Sequence, residues 1–145
     1  IANTALSLII ITALTFTLSS CNSEPAPIEY GKDQCQFCKM TITDNRFGAE
    51  IVTAKGKVYK YDEINCLTSY LTADVTASEN AGIYFTDYNS NHQLIPATKS
   101  FLLKSDKIAG PMNGNVIAFN TEASRAVAMK ELQGTAVSWN DLIKK

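Results

Sequence analysis

The clearest chemistry in this sequence lies in two cysteines and a methionine within one short segment. Cys35, Cys38 and Met40 follow the spacing Cys-x-x-Cys-x-Met. Thiolate and thioether sulfurs are soft ligands, and together they favour Cu(I) over harder ions. Zinc is bound by Cys, His, Asp and Glu and rarely by a thioether, so Met40 is the residue that distinguishes a Cu(I) site from a zinc site. The segment therefore predicts a Cu(I) site.

Three other interpretations of these cysteines stay open. Cys35 and Cys38 would form a disulfide in an oxidising compartment. A thioredoxin-like redox pair is less favoured, because that motif opens a helix after a strand and this one precedes a β-rich segment. A structural zinc site would use Cys35, Cys38, Cys66 and His92, although the second closely spaced pair of a zinc ribbon is missing.

The remaining sulfur and imidazole side chains are weaker candidates. Met112 lies in a Gly/Pro-rich loop at residues 109–114 with no evident packing role, so we predict it as a further ligand. Met129 falls within a predicted helix and is interpreted as core. Cys66 lies on the apolar side of another predicted helix, so we interpret it as core, with metal binding as the lesser alternative. His92 lies in a turn-like stretch and is interpreted as solvated.

The elements that must position these residues repeat the same order twice. In the first half, residues 47–54 and a β-rich run at residues 58–61 flank a turn at Lys55-Gly56. A helix capped by Asp62 and a strand at residues 83–85 follow. The helix is predicted to bury the apolar side chains of Ile64, Leu67, Tyr70 and Leu71.

The second half reads in the same order. Its predicted elements are strands at residues 100–103 and 115–119, a helix from Asn120 or Thr121 through Gln133, and a strand at residues 136–138. Gly134 is typical of a helix end. Ala126 and Val127 are among the helix residues predicted to face the core. The pattern predicts an α+β domain, residues 34–145, made of two similar β-β-α-β lobes at about residues 34–90 and 91–145.

The amino-terminal residues are predicted to be an export signal. Residues 4–18 are uncharged and mostly apolar, a length typical of a secretory signal and short for a membrane span. No basic segment precedes them, so we expect the sequence to begin slightly inside the signal. Ser19-Ser20-Cys21 resembles a bacterial lipoprotein processing site, which implies cleavage after residue 20 and lipid on Cys21. An ordinary signal with a chance cysteine is the alternative.

From Cys21 to residue 33 the chain is mostly polar with two prolines, which predicts a flexible lipid-anchored spacer.

The composition and motifs of the remaining chain exclude several classes of function. All 13 basic and 14 acidic residues follow the predicted signal, so the remainder is nearly neutral and lacks the basic excess of a nucleic-acid-binding protein. No second long apolar run predicts a transmembrane helix. No Gly-x-Ser-x-Gly motif indicates a hydrolase.

Three segments of the sequence resemble the NosL family of nitrous oxide reductase accessory lipoproteins. They are residues 35–52, 83–103 and 110–142. The resemblance depends on the Cys-Met cluster, the Thr86-Asp87-Tyr88 strand end and the Gly-Pro-Met loop, in this order. It implies a Cu(I) chaperone of two similar lobes. Such a protein supplies copper to nitrous oxide reductase and works beside a membrane transporter complex.

The resemblance also assigns residues. Cys38 and Met40 match the family's Cys-x-Met, and Cys35 matches the first cysteine of members that have two. Met112 matches the methionine of the Gly-Pro-Met loop. Lys39 departs from members that have glycine there, and Asn113 separates Met112 from the following glycine.

Two classes of function follow. The first is a lipid-anchored, periplasm-facing Cu(I) metallochaperone without catalytic activity, which delivers copper to nitrous oxide reductase or another exported copper enzyme. The alternative is a membrane-anchored thiol–disulfide reductase using Cys35 and Cys38. Only the chaperone needs the thioethers of Met40 and Met112.

Overall fold

A computed structural model describes residues 24–74, 82–89 and 91–144. The predicted signal at residues 1–20 and the predicted lipidation site at Cys21 lie outside the described residues. The elements, in chain order, are β1 (Ala49–Val52), β2 (Val58–Tyr61), α1 (Ile64–Ala73), β3 (Gly82–Thr86), β4 (Leu94–Pro96), a 3-10 turn (Ala97–Lys99), β5 (Phe101–Lys104), β6 (Val116–Phe119), α2 (Glu122–Glu131), β7 (Thr135–Val137) and α3 (Trp139–Ile143). None of the helices within these ranges has the length and apolarity to cross a bilayer.

Two antiparallel sheets form the framework. The first has the strand order β2-β1-β3-β4, and the second has the order β6-β5-β7. The predicted α+β class and the two β-β-α-β lobes are confirmed as β1-β2-α1-β3 and β5-β6-α2-β7. The Tyr88 N–H donates to the Ala118 carbonyl at 2.8 Å and joins the two sheets. Along β5, Leu102 packs into the core of the first lobe and Leu103 into that of the second, as alternation along a strand requires.

The first sheet extends further than the sequence indicated. Strand β4 was not predicted, and it pairs with β3 in the register Phe85↔Ile95. The first sheet therefore continues through Pro96, beyond the lobe boundary predicted at residue 90. This strand is only three residues long and ends in proline, which is tolerated because β4 is an edge strand. The short helix α3, which also was not predicted, packs Trp139 against Phe85 with ring centroids 5.2 Å apart.

Helix α1 carries one of the cysteines into the core. Its buried residues are Ile64, Cys66, Leu67 and Leu71, which confirms the predicted apolar face except for the partly buried Tyr70. The predicted cap was wrong. Glu63 rather than Asp62 occupies the N-cap position, and the Glu63 side chain makes no hydrogen bond to its own helix.

Helix α2 begins as predicted but turns a different face inward. The Thr121 side chain accepts a hydrogen bond from the Ser124 N–H. The inward side consists of Ala128, with Met129 and Leu132 packed beside it, whereas Val127 is 59% exposed. The predicted inward position of Val127 is therefore wrong, and the interpretation of Met129 as core is confirmed.

Residues 26–33, here called the strap, are folded onto the first sheet. Ile28 is buried in the core of the first lobe. The Ala26 N–H donates to Glu50 Oε2 at 3.1 Å, and Lys60 Nζ donates to the Pro27 carbonyl at 2.7 Å. The structure thus differs from the flexible spacer that the sequence predicted, because an apolar anchor and a lysine from β2 hold these residues in place.

Candidate metal centre

The Cys-x-x-Cys-x-Met segment forms a tight turn beside the first sheet. The Cys35 N–H donates to the Met40 carbonyl at 2.8 Å, and the Lys39 N–H donates to the Cys35 carbonyl at 3.0 Å. Lys39 adopts a φ of 64°, which allows the chain to reverse between the two bonds. The Gln36 N–H donates to the Lys60 carbonyl at 2.8 Å, so the turn is fixed to β2.

Three cysteine sulfurs converge at this turn. The Sγ atoms of Cys35, Cys38 and Cys66 all lie within 4.8 Å of one another. Cys35 and Cys66 are buried, whereas Cys38 is partly exposed. All three are free thiols, so the alternative disulfide between Cys35 and Cys38 is not formed in this structure. We call these residues the sulfur cluster.

The cluster distributes negative charge unevenly. A hydrogen bond from the Cys66 thiol, together with bonds from the backbone of Cys38, Asp62 and Phe37, lowers the pKa of Cys35 to about 5 in spite of burial. The pKa of Cys66 is raised by the hydrogen bond between Cys66 and Cys35 and, to a smaller extent, by burial. Burial also raises the pKa of Cys38. At neutral pH these pKa values favour one thiolate, on Cys35, beside two thiols. A soft cation bound by all three sulfurs would displace the two remaining protons.

An acidic side chain lies behind the cluster. Asp62 is almost fully buried at the junction of β2 and α1, and its Oδ1 has no hydrogen-bond partner. Burial, followed by the nearby Cys35 thiolate, raises the pKa of Asp62 to about 6. Its backbone donates to Cys35, so this junction stabilises the thiolate through the main chain.

The two predicted thioether ligands lie on two different loops, one joined to Cys38 and the other to the start of α1. Met40 is 54% exposed, and its backbone hydrogen bonds to the Cys38 sulfur. Met112 is 42% exposed, and its N–H donates to Glu63 Oε2 at 3.2 Å, at the start of the helix that carries Cys66. Both side chains are therefore accessible from solvent.

The histidine of the zinc alternative is not part of the cluster. His92 Nδ1 lies 3.1 Å from the Asp87 carbonyl oxygen, in the turn that the sequence predicted. Only the three cysteines of the four-residue zinc set come together. Over residues 24–74, 82–89 and 91–144, this is the one group of three or more Cys, His, Asp or Glu side chains with convergent ligand atoms.

Comparison with known proteins places the chain in a family. A sequence model of the NosL family matches residues 26–145. This chain belongs to the NosL family. Its fold matches the crystal structure of the copper chaperone NosL from Shewanella denitrificans with a TM-score of 0.71, over 83% of this chain and 96% of that chain, at 18% sequence identity. No curated protein matches the sequence.

The family resemblance in the sequence is thereby confirmed, and so is the fold. In this NosL-family chain, sequence reasoning underestimated Cys66. It is core, as interpreted, yet its sulfur also belongs to the cluster. The available signal was its position on the first turn of a helix that begins directly after a strand, since such a turn lies beside whatever packs on the strand end.

Proposed function

We propose that this protein is a Cu(I) metallochaperone, without catalytic activity, that faces the periplasm from a lipid anchor on Cys21. Its cargo is Cu(I), bound by sulfur ligands that are drawn from the sulfur cluster and from the thioethers of Met40 and Met112. The observation that carries the proposal is the convergence of Cys35, Cys38 and Cys66 within 4.8 Å. Sulfur ligands select a soft monovalent cation.

The recipient in this proposal is an exported copper enzyme. Nitrous oxide reductase is the expected client, with a membrane transporter complex working beside the chaperone. Support comes from membership of the NosL family and from the fold shared with a copper chaperone. An anchored donor needs a ligand set that a client can reach, and the exposure of Met40 and Met112 meets this need.

The thiol–disulfide reductase is the less favoured alternative. Attack on a client disulfide requires a thiolate that is accessible as well as ionised. Cys35, the cysteine with the lowered pKa, is 0% exposed. The accessible cysteine is Cys38, whose pKa is raised. Reactivity and access are therefore separated between the two residues, which suits metal binding better than exchange.

A competition titration tests the proposal. The Cys21→Ser chain, which removes the thiol outside the cluster, is titrated under reducing conditions with Cu(I) and Zn(II) against chelators of known affinity. Cu(I) is expected to bind far more tightly than Zn(II). Zinc binding of equal or greater strength would defeat the chaperone and favour a structural zinc site.

Single variants identify the ligands. Cys35→Ser, Cys38→Ser and Cys66→Ser are each expected to weaken Cu(I) binding by more than about tenfold, since even the outer partners of metal ligands contribute that much. His92→Ala is the control, because His92 lies outside the cluster, and its affinity should equal that of the parent. Unchanged affinity in all three cysteine variants would remove the cluster from the site.

A further inference from the structure

The loop that carries Met112 is built around a buried carboxylate. Glu63 is 1% exposed, and its Oε2 accepts hydrogen bonds from the N–H groups of Met112 and Gly114, both at 3.2 Å. The loop closes on itself through a bond from the Gly110 N–H to the Gly114 carbonyl at 2.8 Å. Asn113 adopts a φ of 59° to complete the turn. The backbone of residues 110–114 therefore surrounds the carboxylate.

The two glycines of this loop fit the same arrangement. A Cβ at Gly110 would overlap the Glu63 carboxylate, and a Cβ at Gly114 would lie 2.6 Å from Glu63 Cδ. Only a residue without a side chain allows the backbone this close. Glycine at both positions is thus explained by the contact with Glu63.

The Glu63 side chain is directed to the distant loop and not to its own helix. Glu63 occupies the N-cap position of α1, where the side chains of Ser, Thr, Asp or Asn usually accept a hydrogen bond from the first turn. Glu63 makes none there, and burial without full pairing is costly for a carboxylate, since Oε1 has no partner. A cost of this kind indicates that the bond to the distant loop has another purpose.

The position of Glu63 connects the loop to the sulfur cluster. The backbone of its neighbour Asp62 donates a hydrogen bond to Cys35, and Cys66 lies three residues after Glu63. The junction of β2 and α1 thus touches two members of the cluster and, through one carboxylate, the loop with Met112.

We propose that Glu63 is a positioning residue, which holds the loop at residues 110–114 against the start of α1 so that Met112 stays beside the sulfur cluster. This rests on the proposed function, in which Met112 is a Cu(I) ligand. Glu63 acts through the loop backbone and does not bind the metal itself.

Two substitutions separate positioning from direct binding. Glu63→Leu keeps the apolar bulk and removes the acceptor, so it should weaken Cu(I) binding about tenfold, within the range of outer-partner substitutions. Glu63→Gln keeps one acceptor oxygen at the same reach, so it should retain most of the affinity. Where Glu63→Leu does not fold, Glu63→Ala removes the acceptor without bulk beside Gly110. All variants are made in the Cys21→Ser chain.

A double-mutant cycle with Met112→Leu supplies the decisive comparison. If Glu63 acts through Met112, Glu63→Leu should add no further loss once Met112 is gone. An equal loss in both backgrounds, or a loss in Glu63→Gln as large as in Glu63→Leu, would show a direct or purely structural role and overturn the proposal. Glu50→Gln is the matched control, since Glu50 is equally buried but accepts its hydrogen bond from Ala26 of the strap, and it should leave the affinity unchanged.

A metal-free measurement tests the contact alone. Amide hydrogen exchange at Met112 and Gly114 should accelerate in Glu63→Leu and stay slow in Glu50→Gln. Unchanged exchange in Glu63→Leu would overturn the proposal. Failure of the parent chain to bind Cu(I) would overturn the proposed function and this proposal with it, whereas a parent that binds and a Glu63→Leu variant of equal affinity would overturn this proposal alone.

Discussion

The carboxylate of Glu50 should make the stability of this protein decline as the pH rises. Glu50 is fully buried on β1 beneath the strap, and burial raises its pKa from 4.5 to about 7. The Ala26 N–H and the charge of Lys60 oppose this rise, and Asp33 adds to it. Below pH 4.5 Glu50 is protonated in both the folded and the unfolded chain. Between pH 4.5 and 7 only the unfolded chain ionises, so folding loses free energy.

The size of the loss follows from the same values. Each pKa unit corresponds to about 1.4 kcal/mol, so ionisation of Glu50 should lower the free energy of unfolding by about 3 kcal/mol above pH 7. Glu50→Gln removes the ionisation and keeps an acceptor for the Ala26 N–H. Relative to the parent, the variant should therefore gain about 3 kcal/mol between the acidic and the alkaline limit.

Urea unfolding of the parent and of Glu50→Gln at about pH 4 and about pH 8 measures this gain. With a urea slope of about 2 kcal/mol/M, the difference between the two midpoints should change by about 1.5 M in favour of the variant. The comparison of two chains at each pH cancels the titration of all other groups. A midpoint difference that is the same at both pH values would refute the reasoning and indicate that water reaches Glu50.

Further outcomes are expected at other positions. Met40→Leu should lower Cu(I) affinity without changing the rate of disulfide reduction. The control Met129→Leu, in the core of the second lobe, should change neither quantity. If Met40→Leu binds Cu(I) as tightly as the parent, Met40 is not a ligand. Gly114→Ala should cost about 1–3 kcal/mol in urea unfolding, because its Cβ meets Glu63, and an unaffected midpoint would contradict the tight fit. Cys21→Ser should leave the membrane fraction and keep its metal binding; retention there would count against the lipid anchor.

The fold could be predicted where local signals were strong. Alternating β-formers, the Lys55-Gly56 turn and Gly134 at the end of α2 indicated the repeated β-β-α-β order, which the structure confirms. Strand β4 has three residues and ends in Pro96, so it offers no pattern of its own and forms only because β3 has a free edge. The face of α2 was misjudged because alanines on several sides leave no single apolar stripe, so contact with β5 and β6 decides that Val127 points outward.

The site also has a part that local sequence signals predict and a part that depends on tertiary contacts. Cys35, Cys38 and Met40 are neighbours in the sequence, so their spacing alone predicts a ligand group. Cys66 comes from a different element, and its approach depends on the bond from the Gln36 N–H to the Lys60 carbonyl, which fixes the turn beside the end of β2. Because α1 starts directly after that strand, its first turn brings the Cys66 sulfur within 4.8 Å of the Cys35 sulfur. The sequence indicates that Cys66 lies near the end of β2, but the packing of the turn at residues 35–40 against that strand is a tertiary contact that the sequence does not reveal.

Burial across the cluster also sets the direction from which a client reaches the proposed cargo. Cys35 and Cys66 belong to the core of the first lobe, so their side of the cluster is closed by packed side chains. Cys38 is partly exposed, and Met40 and Met112 are more exposed still. In the proposed transfer, an incoming thiolate or imidazole would therefore approach from the Cys38 side and replace the ligands there first. Under the proposed function, Cys35 and Cys66 would still coordinate the ion when a client ligand binds, so copper would pass between the two proteins without release to water.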